Sequence, residues 1–182
     1  MLLQTIEARI NTFSEILGKL SALLFILLIF NVFYDVVMRY VFNDVSIGMQ
    51  ELEWHLYASV FMLSIPYALS KDGHVRVDII YDNLSIRKKA WIDLLGTLIL
   101  LLPFTILVTR YGIDFTIDSF ELGEGSGDPG GLPYRWIIKG VIPFAFFSIT
   151  ISGIGLMLKS IITLQAPNNT ETKQEQTGTA SL

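Results

Sequence analysis

Two carboxylates and an imidazole stand together at the start of one apolar run of the sequence. Glu51 and His55 are four residues apart, so on a helix they share a face, and Glu53 lies between them. Carboxylate and imidazole groups are common ligands of metal ions. A metal site needs a third ligand, however, and the other histidine, His74, follows the opposite end of the same run. The spacing therefore does not favour a metal or haem centre, and we expect neither a metal nor a cofactor in this chain.

A second candidate is the glycine-rich segment from Gly125 to Gly130, which matches the pattern G-x-G-x-x-G of dinucleotide-binding loops. That pattern binds a pyrophosphate only where it follows a strand and opens a helix. Here a polar segment precedes it, Pro129 interrupts it, and no Lys-Ser or Lys-Thr pair makes it a phosphate-binding loop. We therefore expect a turn-rich loop of defined shape and no bound nucleotide.

Charges inside the apolar runs are few. Asp35 and Arg39 are four residues apart near the end of the first run, and we expect them to form an ion pair on one helix face. Polar residues in the middle of the runs, such as Asn31 and Ser148, are uncharged. Ion and proton pathways through a membrane usually carry charged residues at the bilayer centre. We therefore expect neither a catalytic residue nor a transport pathway within this chain.

The elements that position these residues follow from the composition. Of the 182 residues, 52% are hydrophobic and 16% are charged, whereas soluble domains carry about 25% charged residues. The apolar residues are gathered into runs near the roughly 20 residues that a helix needs to cross a bilayer. The sequence thus predicts an all-α integral membrane protein with four transmembrane helices. The predicted membrane domain covers residues 16–160, with spans at about 16–38, 51–69, 90–109 and 136–158.

Two terminal segments lie outside the predicted spans. Residues 1–15 carry apolar side chains at helical spacing, so we expect an amphipathic helix that either lies along the membrane surface or continues into the first span. Residues 165–182 are polar and aperiodic, and we expect a disordered cytoplasmic tail. Nine Lys and Arg residues fall on the side of the termini and four on the other. The positive-inside rule therefore places both termini in the cytoplasm.

Charge also limits the partners of the chain. The net charge of −4 leaves no field that would attract nucleic acid, and without cysteine there are no disulfides or thiolate metal sites. Basic residues at the ends of the predicted spans can contact anionic lipid headgroups. The candidates for this role are Arg87, Lys88, Lys89, Arg135 and Lys139.

Three segments carry a resemblance to a known family. Arg39–Asn43, Gln50–His55 and Asp72–Asp78, in this order around four apolar runs, resemble the small membrane subunit (Q, or DctQ-like) of tripartite ATP-independent periplasmic (TRAP) transporters. The likeness runs over about residues 15–160, and the segment Gly123–Pro133 is similar to the branch whose descriptions mention mannitol or chloroaromatic compounds. The resemblance singles out motif positions with structural or subunit-contact roles: Arg39, Glu51, Glu53, Trp54, His55, His74, Arg76 and Asp78.

The resemblance implies a transport system of three parts in the bacterial inner membrane. A periplasmic binding protein captures an organic acid, often a carboxylate, and a large membrane subunit moves it inward with sodium. The small subunit is then a non-catalytic scaffold that packs against the large one, and the sodium site is expected in the large subunit. The alternative is a free-standing four-helix membrane scaffold that organises lipid or another membrane complex.

Two further expectations rest on this resemblance. Acidic residues near the connection between the third and fourth spans are expected to help dock the binding protein, through its basic patches: Asp118, Glu121, Glu124 and Asp128. Small residues of the fourth span are expected to form a lipid-facing, helix-packing surface against the large subunit: Ser148, Ser152, Gly153 and Gly155.

Overall fold

The described part of the chain forms four helices. The computed structural model describes residues 2–71, 73 and 84–165, and these residues are 85% helical with no strand. The helices are α1 (Leu2–Val41), α2 (Ile47–Ser70), α3 (Ile86–Glu121) and α4 (Trp136–Gln165). The motif residues His74, Arg76 and Asp78, and residues 166–182 of the predicted tail, lie outside the described residues. The all-α membrane fold is therefore confirmed.

Three of these helices, α1, α3 and α4, are long and apolar enough to cross a membrane. The remaining helix, α2, has 24 residues, which is sufficient length, but it is not among the helices that are apolar enough, and its first turns carry the polar residues Gln50, Glu51, Glu53 and His55. It nevertheless runs beside the apolar part of α1. The prediction of four spans thus stays a prediction for α2.

The predicted amphipathic segment, residues 1–15, is the first part of α1. The helix continues without interruption from Leu2 to Val41, a length of about 60 Å at 1.5 Å per residue. Ile10 packs against the backbone of α4 at Gly155. This segment is therefore helical and continuous with the helix of the predicted first span.

Helices α1 and α2 form an antiparallel pair, joined by hydrogen bonds at three levels. Lys71 donates to Glu15 at 2.7 Å, the Ser21 hydroxyl donates to the Val60 carbonyl at 2.9 Å, and the Asn31 amide donates to the Met49 carbonyl at 3.0 Å. Between the helices, Asn43 adopts a left-handed conformation with φ of 54°, which asparagine tolerates better than most residues. The Ser46 hydroxyl then caps α2 by accepting from the Met49 amide.

Helix α4 contacts the other three helices. It lies antiparallel to α1 and α3 and parallel to α2, as the contacts Ser14–Ser152, Thr105–Thr150 and Trp54–Arg135 show. The apolar core lies where α2 and α4 meet, around Leu69, Ile149 and Leu156. This arrangement explains why 39% of the apolar window of α4 is buried, against 11% for α3.

One small side chain in every second turn of α3 is buried. These residues are Ala90, Thr97, Thr105, Gly112 and Ser119, at spacings of seven, eight, seven and seven. The spacing of eight falls across a π-helical turn, Thr97–Leu101. A π turn accommodates about one residue more than an α-helical turn. It therefore keeps both halves of the small-residue stripe on the same face of α3.

The four small residues of α4 face the interior of this chain. Ser148 and Ser152 are 0% and 2% exposed, and the Ser152 hydroxyl lies 2.8 Å from that of Ser14 on α1. A Cβ atom on Gly155 would lie 2.8 Å from Ile10 of α1, and one on Gly153 would meet the side chain of Leu101 on α3. These residues therefore pack helices together, as predicted, but they do so against α1 and α3 of the same chain. The expectation that they form a lipid-facing surface against a large subunit is wrong, because α1 and α3 already cover them.

Candidate functional site

A polar cluster lies where the first turns of α2 meet the loop between α3 and α4, residues 122–135. At its centre is Glu51, which is 6% exposed. Its carboxylate accepts three hydrogen bonds from the α3–α4 loop: from the Ser126 hydroxyl at 2.5 Å, the Leu132 amide at 2.6 Å and the Arg135 guanidinium at 3.3 Å. A single carboxylate on α2 therefore holds this loop at residues 126, 132 and 135.

Ser126 extends this attachment to the tip of the loop. Its hydroxyl also accepts from the Asp128 amide at 3.1 Å, and the Gly131 amide donates to the Asp128 carbonyl at 3.0 Å. With proline at the second position and Gly130 at φ of 82° in the third, residues 128–131 have the features of a type II turn. The glycine-rich segment is thus the turn-rich loop that we expected.

A second ion pair lies beside Glu51. Lys139 of α4 donates to the Glu124 carboxylate and lies 4.0 Å from the centre of the Phe115 ring. The hydrogen bond and charge of Lys139 lower the pKa of Glu124 below its ordinary value of 4.5. Arg135 and Lys139 were candidates for lipid headgroup contacts, but in the structure they form ion pairs with Glu51 and Glu124, respectively.

The remaining motif residues of α2 adjoin this cluster. The Trp54 ring stacks on His55 at 4.1 Å and lies 5.9 Å from the Arg135 guanidinium. The His55 Nδ1 donates to the Glu51 carbonyl at 2.5 Å. His55 also lines an apolar groove of about 340 Å³ between α2, the α3–α4 loop and α4. Glu53 is half-buried on the same helix.

The remaining candidate residues lie in α1, in α3 and in the α3–α4 loop. Arg39 forms the expected ion pair with Asp35, which is 3% exposed. Arg87 and Lys88 are exposed in the first turn of α3, while Lys89 is half-buried. Of the four acidic docking candidates, Glu124 is half-buried by its pairing, and three are exposed: Asp118, Glu121 and Asp128.

No hydropathy or spacing pattern connects Glu51 with the loop, since Ser126 is 75 residues and Leu132 is 81 residues away. One signal was available in the sequence: an acid at the start of an apolar run, with a glycine-rich loop ending in Arg135 before the fourth run. Buried carboxylates require hydrogen-bond donors, and such a loop supplies them from its backbone. Within the described residues, no three His, Cys, Asp or Glu side chains converge as metal ligands.

Comparison with known proteins gives a family match. Residues 28–163 match the family model described as "Tripartite ATP-independent periplasmic transporters, DctQ component". No curated protein and no solved structure matches the chain.

Proposed function

Because the chain belongs to the DctQ family of TRAP transporter small membrane subunits, we propose that it is the non-catalytic scaffold of a sodium-driven, binding-protein-dependent carrier of organic acids. The family works with a large TRAP membrane subunit and a binding protein. The observation that carries the proposal is the family match over 136 residues, counted from 28 to 163, which includes α2, α3 and nearly all of α4. The substrate class we propose is carboxylates, and the sodium site belongs to the large subunit.

Scaffolding in this proposal uses the outer helices. The small residues of α4 are covered within the chain, so they are not available to a partner. By contrast, α1 and α3 leave large apolar side chains uncovered along their lengths, such as Phe30 and Phe33 on α1 and Leu100 on α3. A large membrane subunit and lipid are the apolar partners that such surfaces fit.

Docking of the binding protein is proposed for the α3–α4 loop and the adjoining end of α3. Asp118, Glu121 and Asp128 are exposed there, and the pairs Glu51–Arg135 and Glu124–Lys139 occupy the nearby basic groups. The surface is therefore acidic and suits a partner with basic patches. In this proposal the loop faces the periplasm, both termini are cytoplasmic, and the chain crosses the inner membrane as a multi-pass protein.

The scaffold proposal is tested by copurification. A large TRAP membrane subunit from the same organism is coexpressed with this chain, and a tag on this chain is used for purification in mild detergent. We expect the large subunit to copurify and its uptake of small carboxylates into proteoliposomes to require this chain, a sodium gradient and the binding protein. If the large subunit transported equally well without this chain, the scaffold role would be wrong.

The docking proposal is tested by charge reversal. Asp118, Glu121 and Asp128 are changed together to lysine, and the matched control reverses Glu7, which lies at the opposite end of the helix bundle. We expect the triple variant to raise the concentration of binding protein needed for half-maximal uptake and to change its salt dependence, while Glu7→Lys leaves both unchanged. Unchanged uptake and salt dependence in the triple variant would place docking elsewhere.

A further inference from the structure

We infer that Glu51 is a positioning residue for the docking of the binding protein, because it sets the shape of the α3–α4 loop and the place of Asp128 within it. The inference rests on the proposed docking role of this loop. In this inference Glu51 does not itself contact the binding protein or the large subunit, because its carboxylate is buried beneath the loop.

The first step of the argument is the reach of the carboxylate. The two oxygens of Glu51 accept from donors at residues 126, 132 and 135, which span most of the loop. Between these points the Ser126 amide donates to the Leu132 carbonyl at 3.0 Å. The loop is thus closed on itself and attached to α2 through one side chain.

The second step is the tight fit of backbone around that side chain. A Cβ atom on Gly131 would lie 2.9 Å from Glu51 Oε2 and closer still to Ser126 Oγ, so only glycine fits at this position. A Cβ atom on Gly48, in the first turn of α2, would lie 3.1 Å from the Gly130 carbonyl oxygen. The loop therefore lies directly on the start of α2, with Glu51 between them.

The third step links Glu51 to the exposed charge. Ser126 donates to Glu51 and accepts from the Asp128 amide, and Asp128 begins the turn of residues 128–131. Displacing Ser126 from Glu51 therefore displaces Asp128. A loop that is already ordered loses less conformational entropy when a partner binds, so removing this order weakens docking without removing any contact to the partner.

The test combines Glu51→Gln with a matched control, Glu53→Gln, on the same helix. The substituted side chain in Glu51→Gln would keep one acceptor oxygen but place an amide donor where the second oxygen accepts, and it would leave Arg135 without its counter-charge. In the purified complex with the large subunit, we expect hydrogen exchange in residues 122–135 to be at least about tenfold faster in Glu51→Gln and unchanged in Glu53→Gln. Ser126→Ala, at a half-buried position of the loop, serves as a second variant, and we expect it also to speed hydrogen exchange in residues 122–135.

The functional readout is binding of the cognate periplasmic protein to the complex in nanodiscs, with uptake measured in parallel. We expect Glu51→Gln to raise the dissociation constant and the half-saturating concentration of binding protein about tenfold, with maximal uptake rate and copurification unchanged. A merely structural role would instead lower the maximal rate or the yield of the complex. An unchanged exchange rate of the loop in Glu51→Gln and Ser126→Ala would overturn the inference.

A further variant, Asp128→Lys, separates this inference from the docking proposal. It reverses an exposed charge but leaves the Glu51 hydrogen bonds in place. Weaker binding in Asp128→Lys together with unchanged binding in Glu51→Gln would refute the positioning role and leave docking intact. Unchanged binding in both variants would refute docking by this loop, and the positioning role with it.

Discussion

Replacing Gly155 with alanine would drive α1 away from α4 at a point of close approach between them. The new Cβ atom would lie 2.8 Å from Cγ2 of Ile10, whereas carbon atoms in contact prefer about 3.5–4.0 Å. Ile10 is branched at Cβ, so its Cγ2 cannot turn away freely. Either the helices separate by several tenths of an ångström or Ile10 leaves its rotamer.

The size of the effect follows from two opposed contributions. Overpacking a close contact costs about 1–3 kcal/mol, and exchanging glycine for alanine within a helix regains about 0.5–1 kcal/mol. We therefore expect Gly155→Ala to lower the free energy of unfolding by about 1.3 kcal/mol at the midpoints of these ranges, and by at most about 2.5 kcal/mol. The matched control is Gly96→Ala on α3, because a Cβ atom there meets nothing within 4 Å. It should raise the free energy of unfolding by about 0.5–1 kcal/mol.

The assay is SDS titration of the isolated protein in mixed micelles, followed by circular dichroism. A double-mutant cycle adds Ile10→Ala, which removes the clashing Cγ2 atom. We expect the two substitutions to be coupled by about 1–2 kcal/mol, so that Gly155→Ala is harmless in the Ile10→Ala background. Equal stability of Gly155→Ala and Gly96→Ala, or additive effects with Ile10→Ala, would refute the close packing of α1 on α4.

Two further predictions concern α3 and the α3–α4 loop. Deleting Ile99 should convert the π turn to a regular α-helical turn, because the buried small residues of α3 then have a uniform spacing of seven. We expect this variant to keep the Thr105–Thr150 hydrogen bond and a stability close to that of the parent protein. Deleting Ile117 instead rotates Ser119 away from the face of α3 that packs against α4, and it should lower the thermal unfolding temperature. An equal loss of stability in both deletion variants would contradict the role of the buried small residues in aligning α3 on α4. Because the hydrogen bond and charge of Lys139 lower the pKa of Glu124, the carboxyl signal of Glu124 in NMR should titrate below 4.5 in the parent protein and at a higher pH in Lys139→Gln than in the parent. The stabilising contribution of this pair is accordingly present at neutral pH and lost only as the pH falls through the lowered pKa; titration of the parent at or above 4.5 would contradict the pairing.

The helical membrane fold could be predicted from the sequence because span formation is a local property. An apolar run of sufficient length must pair its own backbone groups in a bilayer, and a helix does so without distant partners. The same reasoning predicted the pair Asp35–Arg39, which lies on one helix face. The same reasoning did not establish whether α2 spans the membrane. Its first turns are polar at Glu51 because this carboxylate accepts hydrogen bonds from the α3–α4 loop.

The faces that the helices turn toward each other could not be predicted in this way. Ser152 and Gly155 had the composition of an interface between subunits, yet they pack against Ser14 and Ile10 of the same chain. Small residues permit close approach of any helix and do not specify which one. Which helix approaches depends on rotation and tilt, and these are set by all the contacts together.

The sequence by itself determined that this chain is a helical membrane protein of the DctQ kind, with charge kept largely to the ends of the spans and the loops. Only the tertiary structure decided that Glu51 lies under the α3–α4 loop and that Lys139 forms an ion pair with Glu124. The physical reason is distance along the chain. A buried carboxylate must find donors, but whether they come from water, a neighbouring turn or a loop 75 residues away is decided when the helices pack.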